Sequence, residues 1–118
     1  MVTLDQIARA TLDRNSLQLR SLVQDYLREN DDLSSAVPPA SDDRDIQTTA
    51  AALLELLASR RNQPPPAWTG GVGPLAEPFY LVAAAQQMTH LRQLCETEAP
   101  EPLRRRRMFA PANFLAFA

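Results

Sequence analysis

The chain has 118 residues, a formal net charge of -2, one cysteine and one histidine. That length suits one domain with its own core and is too short for two ordinary ones. The single cysteine excludes an intramolecular disulfide and a multi-cysteine zinc site, the single histidine excludes a two-histidine metal centre, and the near-neutral charge gives no case for a protein that coats nucleic acid. All 12 basic residues are arginine. Their spread is uneven: residues 1–59 hold five Arg against ten acids, net -5, and residues 60–118 hold seven against four, net +3. The start of the chain lacks the apolar stretch of a signal peptide, and no run approaches the ~20 apolar residues of a membrane span. The expectation is a cytoplasmic protein with no membrane partner.

Taken in chain order, Thr3 and Gln6 have capping-box spacing, and Leu4, Ile7, Ala8 and Leu12 then form an apolar stripe. This predicts a helix from Thr3 to about Arg14. Asn15 and Gln18 repeat the cap signature, and Leu19, Leu22, Val23, Tyr26 and Leu27 predict a second helix over 16–29. Two helices joined so tightly make a helical hairpin or corner. Residues 31–42 lack periodicity and carry adjacent prolines, which reads as a flexible loop. Ser41 or Asp42 then caps a third helix over 43–61, whose apolar face holds Ile46, Thr49, Ala50, Leu53, Leu54 and Leu57. At 1.5 Å per residue it spans about 30 Å, the width of the domain, and it is the expected central element.

Pro64, Pro65 and Pro66 stop that helix. The three glycines of the chain, Gly70, Gly71 and Gly73, fall together, which predicts a tight turn in a connector over 63–76. Glu77 and Pro78 look like the start of a helix reaching Gln87, or continuing unbroken to Thr97. In the segment from Thr89, Leu91, Leu94 and Cys95 are expected to face inward. Pro111 opens a last turn with Phe114, Leu115 and Phe117. No alternating pattern predicts a strand. The expected fold is all-α: a single domain of four to six helices over 1–118, with an N-terminal hairpin on a long central helix, a Pro/Gly connector and short C-terminal helices.

Few residues offer chemistry. The TGGVGP cluster lacks both the GK[ST] ending of a phosphate loop and the GxGxxG spacing of a dinucleotide site. His90 and Cys95 are about 500° apart around a helix, so they lie off one face. Cys95 reads as a small core residue and His90 as a surface residue. Glu77, Glu96 and Glu98 are the acids an enzyme reading would use, but no partner set completes them. No catalytic residue, cofactor or metal is expected, and the chain reads as a non-enzyme.

The run Arg104-Arg105-Arg106-Arg107 is the most unusual feature. Four guanidinium groups in sequence can hold carboxylates or phosphates through paired hydrogen bonds. Two readings are open: a docking site for an acidic protein surface or nucleic acid, or a charge run paired internally, against Asp31, Asp32 or the acids of 42–45. The apolar tail, with Phe109, Phe114 and Phe117, packs on its own domain or meets a partner. The candidate partner-binding residues are therefore Arg104, Arg105, Arg106, Arg107, Phe109, Phe114 and Phe117.

The segments PPPAWT (64–69), LAEPFYL (75–81) and LRQLCETEAPEPLRRRRMFAPANFL (91–115), with LDQIARATLDRNSLQLRSLVQDYL (4–27), resemble a small family of bacterial helical proteins. The members sit beside genes for nucleotidyltransferase-like proteins, in the manner of a toxin–antitoxin or AbiE-type pair. The resemblance implies an antitoxin-like or adaptor subunit whose partner is a nucleotidyltransferase-like toxin. The expected function is thus a protein-interaction module, with a nucleic-acid-binding regulator using Arg104–Arg107 as the alternative, and with self-association also open.

Overall fold

A computed structural model describes residues 1–116, with the backbone alone for Gln86. Five α-helices are assigned among them: α1 Leu4–Leu12, α2 Ser16–Glu29, α3 Arg44–Arg60, α4 Thr89–Glu98 and α5 Glu101–Arg104. Two short strands, β1 Phe79–Tyr80 and β2 Met108–Phe109, form the sheet. The Cα radius of gyration is 13.2 Å, as expected for one domain of this length. No helix of the described residues is long and apolar enough to cross a membrane.

The first half forms from local signals. The Thr3 hydroxyl accepts the Gln6 N–H, and the Gln6 side chain accepts the Thr3 N–H, so the capping box closes in both directions. The Asn15 side chain accepts the Gln18 N–H and starts α2. Between the helices, Arg14 takes a left-handed φ of 56°. The Asn15 N–H then reaches back to the Ala10 carbonyl at 3.0 Å, the closing bond of a Schellman turn. Arginine pays for a conformation that glycine adopts freely. Its side chain recovers some of that cost: the guanidinium lies 4.3 Å from the Phe79 ring centroid, and Nε donates to the Tyr80 carbonyl at 2.8 Å.

The third helix starts one residue later than the sequence indicates. Asp43, not Ser41 or Asp42, is its N-cap and accepts the Asp45 N–H at 2.8 Å. The Ser41 hydroxyl instead accepts the Asp43 N–H. From Thr48 to Ala58 every residue of α3 is buried, so the helix is enclosed on all sides rather than along one stripe. Four alanines in that stretch, Ala50, Ala51, Ala52 and Ala58, are fully buried and let neighbouring elements approach its axis. Helix α1 packs directly on α3, and α2 packs mainly on α1. The hairpin therefore meets the central helix through its first arm.

The segment 31–42 folds back over this hairpin. Leu33–Ser35 is a single 3-10 turn capped by Asp32, with Leu33 fully buried. Gln63, just past α3, accepts the Leu33 N–H and donates to the Asp31 carbonyl, both at 2.9 Å. The Trp68 indole N–H donates to the Ala36 carbonyl at 2.8 Å.

The glycine cluster does take part in a tight turn, as expected, but the turn does not require glycine. None of the three glycines has a positive φ, and a Cβ at any of them would meet nothing within 4 Å. Ala67–Gly71 is a 3-10 turn, and it demands glycine neither for its backbone nor for its space.

The largest departure lies at 78–87. Pro78 begins no helix. Phe79 and Leu81 donate to the Arg107 and Phe109 carbonyls, both at 2.9 Å, in a parallel pairing that sets Phe79 against Met108 and Tyr80 against Phe109. Ala83–Gln86 is one 3-10 turn. Helix α4 follows as a separate element, so the chain does break near Gln87. Cys95 is the one buried residue of α4; Leu91 is half-buried and Leu94 is exposed, contrary to their expected inward orientation.

Candidate functional site

The site is built around a single acid in the middle of α3. Glu55 sits between Leu54 and Leu56 and is 6% exposed. A carboxylate so enclosed requires a partner cation, because an isolated buried charge is far costlier than an exposed one. Arg106 supplies it. The short helix α5 and the turn after it carry the arginine run across α3, and the Leu75 N–H donates to the Arg106 carbonyl at 3.1 Å. This places the Arg106 side chain, 2% exposed, in the interior.

The pair is bidentate. Arg106 Nη1 donates to Glu55 Oε1 at 2.6 Å and Nη2 to Oε2 at 3.0 Å. The same guanidinium donates to the carbonyls of Thr69 at 2.8 Å and Pro102 at 3.1 Å. Four of its five N–H groups are thereby used, and only Nε–H, also buried, meets no acceptor. One side chain thus ties together α3, the turn after the triple proline, and α5.

The other three arginines are exposed. Among the described residues, each carries one internal tether. Arg105 Nη2 donates to Glu55 Oε1, sharing the oxygen that Arg106 uses. Arg104 Nη2 donates to the Thr97 carbonyl at 2.8 Å, close to the end of α4. Arg107, with a left-handed φ of 64°, donates through Nη1 to the Ala76 carbonyl at 2.8 Å. One hydrogen bond out of five donors holds each group in place and leaves most of its edge toward solvent. The internal acid that meets the run is Glu55. Asp31, Asp32 and the acids of 42–45 do not: Asp32 binds Ser34 and Ser35, and Asp43 caps α3.

Of the candidate apolar residues, Phe109 is half-buried, with its ring 5.4 Å from that of Tyr80. Phe114 is half-buried against the core beside buried Leu115. Phe117 lies outside the described residues.

The structure therefore divides the candidate set. Arg104, Arg105 and Arg107 are exposed and tethered to three different segments, Arg106 is a core residue, and Phe109 and Phe114 are half-buried. Glu55 is the residue that sequence reasoning missed. Its signal was present: one acid inside the otherwise apolar and small stretch from Ala50 to Ala58 implies a buried cation elsewhere in the chain.

Burial pushes the Glu55 carboxyl up, but the hydrogen bond from Arg106 and the charges of Arg106 and Arg105 outweigh it and hold it below its ordinary value. A depressed folded-state value means that this group adds stability above the ordinary glutamate range, and that the contribution is lost as the pH falls through that range and below it. Acid titration of the unfolding midpoint should show a falling limb that is shallower in Glu55→Gln. Identical limbs in the two proteins would contradict the assignment.

The remaining chemistry-bearing residues stay apart. His90 is exposed, and Cys95 is fully buried with its thiol pushed up by burial and by Glu96 and Glu98. Among the described residues, no three of His, Cys, Asp and Glu converge as metal ligands would. Glu96 accepts the Tyr80 hydroxyl, which raises the Tyr80 value above its ordinary one. Glu77 and Glu98 are exposed.

No family model matches the chain, and no curated protein or solved structure matches it.

Proposed function

We propose that the protein is a non-enzymatic interaction module, an antitoxin-like or adaptor subunit of a two-gene bacterial system acting in the cytoplasm. Its docking surface is formed by Arg104, Arg105 and Arg107, and its partner presents an acidic surface. The observation that supports this reading is the mode of tethering. Three arginines close in sequence are exposed, and among the described residues each is held by a single internal hydrogen bond. Holding a long side chain in place before the partner arrives lowers the ordering cost of binding, and the free donors remain matched to carboxylates. Arg105 has a further property. Arg106 alone engages both oxygens of Glu55, so Arg105 can turn to an incoming carboxylate without leaving Glu55 unpaired.

The test is affinity capture from the native cells at low salt, with and without nuclease, using the natural chain and the triple variant Arg104→Gln, Arg105→Gln, Arg107→Gln. A stoichiometric protein that survives nuclease and is lost from the triple variant is the expected outcome. Equal capture by both chains would overturn the proposed surface. Recovery of nucleic acid instead, with steep salt dependence, would assign the same arginines to phosphates and replace the adaptor reading by a regulator.

A further inference from the structure

A cleft of about 330 Å3 lies between the second half of α3 and α5. Its volume is at the small end of the range for ligand sites and suits one small molecule. Glu55 and Ser59 line it from α3, and Glu101, Pro102 and Arg105 from α5 and the residue after it, with Pro65 as a second rigid apolar wall. Gln63 also reaches the cleft, but its side chain is committed to Leu33 and Asp31.

The lining offers one cation and one anion for further bonding. Glu55 is not that anion: Arg106 holds both of its oxygens, so the two charges cancel. Arg105 therefore brings a positive charge that Glu55 does not need, and among the described residues it uses one of its five donors. Glu101 stands four residues before Arg105, the spacing at which a glutamate and an arginine commonly pair along a helix. Here that pair does not close, and the arginine turns to Glu55 instead. Glu101 is exposed, and its carboxylate meets no donor among the described residues. The exposed Ser59 hydroxyl likewise meets no partner among them. Ser59 lies in the last turn of α3, where the negative pole of the helix favours a cation. The basic residue of that turn, Arg60, does not line the cleft and donates to the Ala112 carbonyl.

We infer that this cleft binds a free α-amino acid with an aliphatic side chain. The ligand carboxylate takes the unused Arg105 donors. Its ammonium meets the Glu101 carboxylate and the Ser59 hydroxyl, and its side chain lies against Pro65 and Pro102. Both signs of charge are needed. A simple anion would face Glu101 without compensation, and a simple cation would face Arg105. Side chains four residues apart on a helix start about 5–6 Å from each other, a span that suits a carboxylate and an ammonium carried on one carbon. The inference does not rest on the proposed docking function, although Arg105 serves both.

The test is isothermal titration calorimetry of the full chain with L-leucine, N-acetyl-L-leucine and L-leucinamide. Leucine is expected to bind, and each derivative, having lost one charge, to bind at least about tenfold more weakly. Glu101→Gln should weaken leucine by about tenfold and leave N-acetyl-leucine little changed, because the ammonium is the group it removes a partner from. Glu101 is a surface residue, so the variant should keep the urea midpoint of the natural chain. It should also capture the protein partner as the natural chain does, which separates failure of this inference from failure of the docking reading. Absent leucine binding, equal binding of either derivative, or an unchanged affinity in Glu101→Gln would overturn the inference. Tighter leucine binding by Glu101→Gln would also overturn it, by showing that Glu101 competes for Arg105 rather than holding the ammonium.

Discussion

Replacing Arg106 by alanine is expected to cost about 3–5 kcal/mol of folding stability, the range for breaking a buried ion pair by removing one partner. Against the roughly 5–15 kcal/mol by which domains of this size are stable, that loss leaves a protein at the edge of folding. The cost comes less from the missing attraction than from what stays behind. The Glu55 carboxylate would remain in the interior with only the half-exposed Arg105 side chain beside it. The Thr69 and Pro102 carbonyls would each lose a donor. Two companion variants separate these contributions. Glu55→Ala leaves a buried guanidinium and should be about as damaging. The double replacement Glu55→Leu, Arg106→Met removes both charges in similar volume and should recover much of the loss, because a well-packed apolar pair often matches a buried salt bridge. Urea denaturation of the three variants measures this directly. A double variant no more stable than either single one would show that the pair is held by something other than mutual neutralisation.

The second large effect is expected at Leu54. Its side chain is fully buried in the part of α3 that is enclosed on every side. Leu54→Ala should therefore cost about 2–5 kcal/mol, the lost transfer energy plus the cavity that remains. The upper part of that range is expected, since a helix packed all round cannot relax toward solvent to fill the space. Leu17→Ala on α2, where the side chain is 81% exposed, serves as the control and should fall within about 0.5 kcal/mol of the natural chain. Comparable losses at the two positions, read by thermal or urea unfolding, would contradict the central placement of α3.

What the sequence revealed followed the range of the interactions involved. The caps at Thr3 and Asn15 and the periodicity of α1 to α3 are local: each depends on residues three or four apart, and each is visible in the one-dimensional pattern. The segment 78–87 is not. Pro78 carries a real helix-start signal, but the N–H groups of Phe79 and Leu81 are claimed by carbonyls 28 residues further on. Two residues of parallel pairing are too short to leave an alternating pattern, so the tertiary bonds override the local preference without announcing themselves. The glycines mislead for the opposite reason. Clustering suggests a forced turn, and the backbone there is ordinary. The left-handed positions fall on Arg14, Asn62, Arg107 and Leu115, where only neighbouring turns and tertiary bonds explain them.

The arginine run shows the same limit at the candidate site. Four identical residues in a row are indistinguishable in sequence, and burial separates them. Arg106 is selected because the chain after α5 crosses α3 where Glu55 stands, one residue before β2 pairing lifts the backbone away through Arg107. Glu55 itself was legible as a lone acid within an apolar stretch; which cation answers it was not, since Arg106 stands 51 positions further along the chain.

The most direct test of this division is an alanine scan of positions 104 to 107, each variant taken through urea denaturation at neutral pH. Arg106→Ala alone is expected to lose several kcal/mol, while Arg104→Ala, Arg105→Ala and Arg107→Ala keep unfolding midpoints close to that of the natural chain. Similar losses at all four positions, or an Arg106→Ala protein as stable as the other three, would contradict it.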